Sequence, residues 1–78
     1  MREQMFSEAI KLKDGILYNL SYHEMRMRRT SEHFFGISFP LLIEIPEDKM
    51  IGFYKCRIVY SDKVHTVEFI PYYFREIS

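Results

Sequence analysis

Seventy-eight residues with eleven Lys+Arg against eleven Asp+Glu, 47% hydrophobic and 17% aromatic, make one small domain of zero formal charge. Zero charge argues against a general electrostatic grip on nucleic acid, and no apolar run approaches the roughly 18–20 residues that span a bilayer. The N-terminus MREQMFSEAI lacks the apolar core of a signal peptide, and the single Cys56 cannot make an internal disulfide, so a reduced, cytoplasmic setting is expected.

The first element to emerge is a hairpin. Gln4–Lys13 and Ile16–Leu20 flank Asp14-Gly15, a strong two-residue turn signal. That turn sets Leu12 against Leu17 and Ile10 against Asn19. Phe6, Ile10 and Leu12 then share one face, and Glu8 between them interrupts the apolar alternation.

A helix follows, expected over about 22–35. Ser21 reads as its N-cap, with Glu24 completing a capping box and Leu20 stapled to Met25. Gly36 stops it. Ile37–Lys49 is irregular: Pro40 and Pro46 bracket LLIEI, either a short strand or a turn of helix. Phe53–Tyr60 and Val64–Tyr73 read as two long strands around Ser61-Asp62-Lys63, with Pro71 marking an edge or a strand end. The expected fold is therefore α+β: a single β-β-α-β-β domain over residues 1–78, antiparallel hairpins packed on one main helix.

YHEMRMRRT, residues 22–30, crowds four basic side chains into the helix. At about 100° per residue, His23, Met27, Thr30 and Phe34 make the core-facing stripe. Arg28 falls nearly opposite, with Glu24, Ser31 and Glu32 on the solvated face. Tyr22, Arg26, Arg29 and His33 run along the border between the two. An arginine there either lays its methylenes on the core with its head in water, or points into a cleft and grips an anion, for which the guanidinium fork is suited. Three arginines on different sides of a helix do not make a stripe for RNA.

In the second hairpin, Tyr54, Cys56, Ile58 and Tyr60 match Val67, Phe69 and Pro71 on one face when 57 pairs with 68. The other face carries Lys55, Arg57, Thr66, Glu68 and Ile70. A shift by one residue would set Cys56 against Glu68 and waste a core position. Arg57 opposite Glu68 reads first as a cross-strand ion pair on a wet face.

Catalytic signatures are sparse. HEMR lacks the second histidine of a zinc helix, His33 and His65 add no ligand spacing, and no metal is expected. Gly15, Gly36 and Gly52 are isolated and form no phosphate-cradling loop. Cys56 reads as an inert core thiol, and His23, on an apolar face, as a core histidine with a satisfied ring.

Taken in order, Phe6, Glu8, Ala9, Ile10, Asp14-Gly15, His23, Arg26 and Met27 resemble the N-terminal signature of class IV aminotransferases, pyridoxal-phosphate enzymes of fold type IV. Branched-chain and D-amino-acid aminotransferases and aminodeoxychorismate lyase belong to that family. The signature is a strand F-E-[TS]-[IL], a hairpin, and a helix with H-x-x-R-[LM]; the extra Ser7 is a departure at the strand. GFYKCRIVYSDKVHTVEFIPY is similar to the strand pair that follows in a short branch of the family.

The resemblance implies that Arg26 holds the cofactor phosphate, and that Arg57, with Lys55 beside it, binds a substrate carboxylate. It also implies a larger C-terminal domain carrying the Schiff-base lysine, and none of Lys11, Lys13, Lys49, Lys55 and Lys63 matches that position. Catalysis by these 78 residues alone is therefore not expected, nor is pyridoxal phosphate bound by this chain alone. The expected role is the N-terminal domain of such an aminotransferase or lyase, self-associating through exposed apolar surface as a homodimer. The alternative is a stand-alone, non-catalytic module that contacts a protein or a small anion.

Overall fold

A computed structural model describes residues 4–71. Its elements are β1 (Phe6–Lys13), β2 (Ile16–Leu17), α1 (Leu20–Phe35), a 3₁₀ turn (Glu47–Lys49), β3 (Phe53–Tyr60) and β4 (Val64–Pro71). The strands form one antiparallel sheet in the order β2-β1-β3-β4, so the two expected hairpins join through β1 and β3. The α+β expectation holds.

The first turn forms as its sequence dictates. Asp14 (φ 49°) and Gly15 (φ 79°) both take positive φ, and Leu12 faces Leu17. The Asp14 side chain accepts a hydrogen bond from the Gly52 N–H at 2.9 Å, and the Asp14 N–H donates to the Gly52 carbonyl at 2.9 Å. These two bonds fasten the turn to the start of β3.

β2 is shorter than expected. It ends at Leu17, and Ile10 pairs with Cys56 of β3 rather than with Asn19. The reason is local: Asn19 takes the left-handed conformation (φ 55°) and turns the chain directly into α1, a conformation asparagine tolerates better than most residues. Helical structure therefore begins at Leu20, and Asn19, not Ser21, is the cap residue, without a side-chain cap bond. The box with Glu24 does not form. Leu20 packs on the core instead of stapling Met25, which is 44% exposed. The far end follows the sequence: Gly36 (φ 71°) caps α1, its N–H donating to the Glu32 carbonyl at 3.0 Å.

The buried stripe of α1 is rotated from the expected one. Met27 and Ser31 are its buried residues, while Phe34 is 49% exposed and Thr30 only half-buried. Leu20, Met27 and Ser31 fall at i, i+7 and i+11, one helical face. Ser31, expected on the solvated face, fits against the core because it is small and its hydroxyl donates to the Arg28 carbonyl at 3.1 Å. Phe34 still touches the fold, its ring 4.8 Å from that of Phe6.

The core itself is Ile10, Met27, Cys56, Ile58 and Tyr60. Each fully buried Ile or Met side chain in it contributes about 1.5–3 kcal/mol. Residues 37–46 form neither strand nor helix, yet Phe39, Leu41 and Ile43 alternate onto the core while Leu42 is 83% exposed. The segment has a strand's alternation without a ladder.

β3 and β4 take the expected register: Arg57 faces Glu68, Cys56 faces Phe69 and Ile58 faces Val67, with an irregularity between Val59 and Tyr60. β4 is an edge strand whose last described residue is Pro71, where a missing N–H is tolerated. The expected extension to Tyr73 lies outside the described residues.

Candidate functional site

Alternation along β1 turns Phe6, Glu8, Ile10 and Leu12 toward α1, so Glu8 is carried into the helix–sheet contact and is only 8% exposed. A carboxylate so placed requires donors. α1 supplies them from adjacent turns: His23 and Arg26, three residues apart, lie on neighbouring parts of one helix face. His23 Nδ1 is 2.8 Å from Glu8 Oε1 and Arg26 Nη1 is 3.6 Å from the same oxygen. An ionised carboxylate only accepts, so the hydrogen of the short bond sits on Nδ1. Glu8, which broke the apolar pattern of β1, is the anchor of this cluster.

Arg26 is 55% exposed, and its guanidinium stacks over the Tyr22 ring at 5.6 Å. One edge of the fork is turned to Glu8 and the rest remains accessible to an anion. Arg26 thus lies at the border of the buried stripe, as its position on the helix implies, and the structure adds a buried counter-charge, Glu8, that the sequence did not single out as its partner. Arg28 and Arg29 are exposed, and no ion pair joins Arg28 to Glu24 among the described residues.

Lys55 and Arg57 lie elsewhere. On β3, Cys56 and Ile58 point to α1 and are buried, so Lys55 and Arg57 point to the opposite, open face of the sheet. Arg57 Nη1 is 3.4 Å from Glu68 Oε1, both side chains being about half exposed, the cross-strand pair that the register implies. Such a pair contributes at most about 1 kcal/mol. The sheet separates Arg26 from Lys55 and Arg57, and the three do not form one local site within this chain.

A second polar cluster escaped the sequence reading. In the β3–β4 turn, buried Ser61 Oγ lies 2.5 Å from His65 Nε2 and 3.0 Å from Asp62 Oδ1. It is not a nucleophilic triad, because the acid contacts the serine rather than orienting the histidine, and Ser61 is fully buried. The pairing spans four residues across a tight turn, and no helix or strand period announces it.

Cys56 is fully buried, and burial pushes its thiol up to about 11 from 9.0, away from thiolate chemistry. Among the described residues no group of three or more His, Cys, Asp or Glu is placed to hold a metal ion, and no helix is long and apolar enough to cross a membrane.

The fold and cluster define a small α+β domain with an arginine at its surface that is paired to a buried carboxylate. Comparison of the chain with protein-family models, with curated proteins and with solved structures finds no match.

Proposed function

We propose that this chain is the small N-terminal domain of a pyridoxal-phosphate enzyme similar to class IV aminotransferases and lyases, and that Arg26 is its phosphate anchor. The observation that carries the reading is the tether: a buried Glu8 fixing both His23 and Arg26 of the H-x-x-R spacing, with the outer part of the guanidinium left open. A preorganised guanidinium fork suits a phosphate dianion because it bonds two oxygens at once.

The donor set accommodates the cofactor only in part. Arg26 supplies one phosphate donor. No lysine stands beside it: Lys11, Lys13 and Lys55 point to the far face of the sheet, Lys49 pairs with Asp48 at 3.2 Å, and Lys63 sits in the β3–β4 turn. The amine that carries the aldehyde must then come from a separate catalytic domain, and no chemical step is assigned to these residues. Lys55 and Arg57, across the sheet, would meet a substrate carboxylate only at a different interface from the one Arg26 serves.

Apolar surface for such assembly is present, with Ile16 60%, Ile51 83% and Met50 48% exposed. We assign homodimerisation and docking of the catalytic domain to surface of this kind, in the cytoplasm, where the lone thiol stays reduced. The second reading, a stand-alone module for small anions, draws on the same open guanidinium without an adjacent amine.

Intact mass of the product made from the native gene in its own cells separates the two. A polypeptide much heavier than the 9.5 kDa of this chain supports the enzyme-domain reading. A 9.5 kDa species contradicts it and leaves the module.

A further inference from the structure

Among the described residues, the outer edge of β1 is unpaired over most of its length. The hairpin pairs β2 with β1 only at Leu12↔Leu17 and Lys13↔Ile16, and the Tyr18 N–H adds one bond to the Lys11 carbonyl at 2.8 Å. Groups on an antiparallel strand alternate between its two neighbours. The odd-numbered residues of β1 therefore turn N–H and C=O toward the β2 side, and the even-numbered ones toward β3. Beyond the end of β2, the outward groups of Ser7 and Ala9 have no partner among the described residues, and both residues are exposed. Neither side chain shields the edge with a charge or a proline, the usual protections.

A second, independent feature adjoins that edge. The open face of the sheet carries Lys11 and Lys13 on β1 and Lys55 and Arg57 on β3, against Glu68 alone on β4. Lys11 and Lys55 stand directly opposite one another, a like-charge pairing that costs stability in the free protein. The Lys11 ammonium is packed 4.8 Å from the Tyr18 ring and 5.0 Å from the Phe53 ring, which holds it at the surface. On a chain of zero net charge this is a segregated cationic patch.

We propose that the free edge of β1 takes an extended acidic segment of another polypeptide, which adds a strand beside Ser7–Lys11. The peptide backbone pairs with the outward groups of Ser7 and Ala9, while acidic side chains on alternate positions lie over the cationic face. The intervening positions, on the α1 side beside Phe6 and Ile10, take apolar side chains. Alternating acid and apolar is thus the recognised pattern. A nucleic acid matches the charges but has no peptide ladder to offer the edge. A second copy of this chain matches the edge but sets one cationic face beside another.

The probe is a fluorescein-labelled peptide alternating Glu and Val, titrated with the purified chain and followed by anisotropy at low and high salt. Binding is expected at low salt, weakening with salt. Ala9→Pro should weaken it by about tenfold or more, since proline removes the outward N–H without touching the β1–β3 ladder. The same loss is expected, with no change to the protein, when the peptide is N-methylated on the alternate residues that would face β1. Equal affinity for Ala9→Pro and for the N-methylated peptide overturns the proposal, because the contact is then merely ionic. No binding at low salt also overturns it, as does sedimentation showing a homodimer that Ala9→Pro dissociates.

Discussion

Removing the Glu8 carboxylate exposes how the cluster is built. In Glu8→Ala, His23 loses a 2.8 Å bond to a charged acceptor while its side chain stays only 15% exposed. A hydrogen bond to a charged group contributes about 1.5–3 kcal/mol. The Arg26 contact is longer, at 3.6 Å, and its side chain is 55% exposed, so screening holds that contribution below about 0.5 kcal/mol. The variant should therefore be destabilised by about 2–3 kcal/mol, a large share of the stability of so small a domain. At about 4–8 °C per kcal/mol, the melting temperature falls by about 10–20 °C. A double-mutant cycle read by urea denaturation resolves the two partners. The Glu8/His23 coupling should reach about 1.5 kcal/mol or more, the low end of the bond's range, and the Glu8/Arg26 coupling should be about a few tenths. Equal couplings, or a larger one to Arg26, would refute the reasoning, because Arg26 would then be committed to Glu8 rather than open to an anion.

Gly36→Ala should cost about 1 kcal/mol, visible as a lower urea midpoint. Nothing lies within 4 Å of the added methyl, so the whole effect is the left-handed conformation at φ 71°. Cys56 should resist iodoacetamide at pH 8 in the folded protein and react once urea unfolds it. Its thiol also gives stability a pH dependence. The unfolded thiol ionises near 9.0 and the folded one only near about 11, so stability is intact below pH 9 and lost as pH rises from 9 to 11. The slope is at most about 1.4 kcal/mol per pH unit. Cys56→Ala should lack that part of the decline, and an identical decline in both proteins would show that the thiol contributes nothing.

The features legible in the sequence are those set by short-range chemistry or by a single period. Asp14-Gly15 determines its own turn, Gly36 its own helix end, and the face alternation of β3 and β4 fixes Arg57 against Glu68. The misread features depend on choices that several residues make together. Ser21 is a good cap by type, but left-handed Asn19 starts the helix earlier, and the packing of Leu20 and Met27 on the core turns Ser31 inward. Glu8 read as a flaw in a strand, because nothing in a strand period says that a helix fifteen residues on will bring His23 and Arg26 to it. The spacing of His23 and Arg26 on one helix face, taken with an inward carboxylate on the preceding strand, was the available signal. Lys55 and Arg57 were correctly placed on one face. That this face lies opposite Arg26 follows only once α1 is seated on the side of Ile10 and Cys56.

The central claim, that Arg26 is held ready for a phosphate, is tested most directly by phosphorus NMR of pyridoxamine 5′-phosphate titrated with the purified chain. That ligand keeps the ring and phosphate of pyridoxal phosphate but has no aldehyde to react with surface lysines. A saturable phosphorus shift with weak affinity is expected, lost in Arg26→Gln and kept in Arg28→Gln. A shift unchanged by Arg26→Gln, or no shift at all, would contradict it.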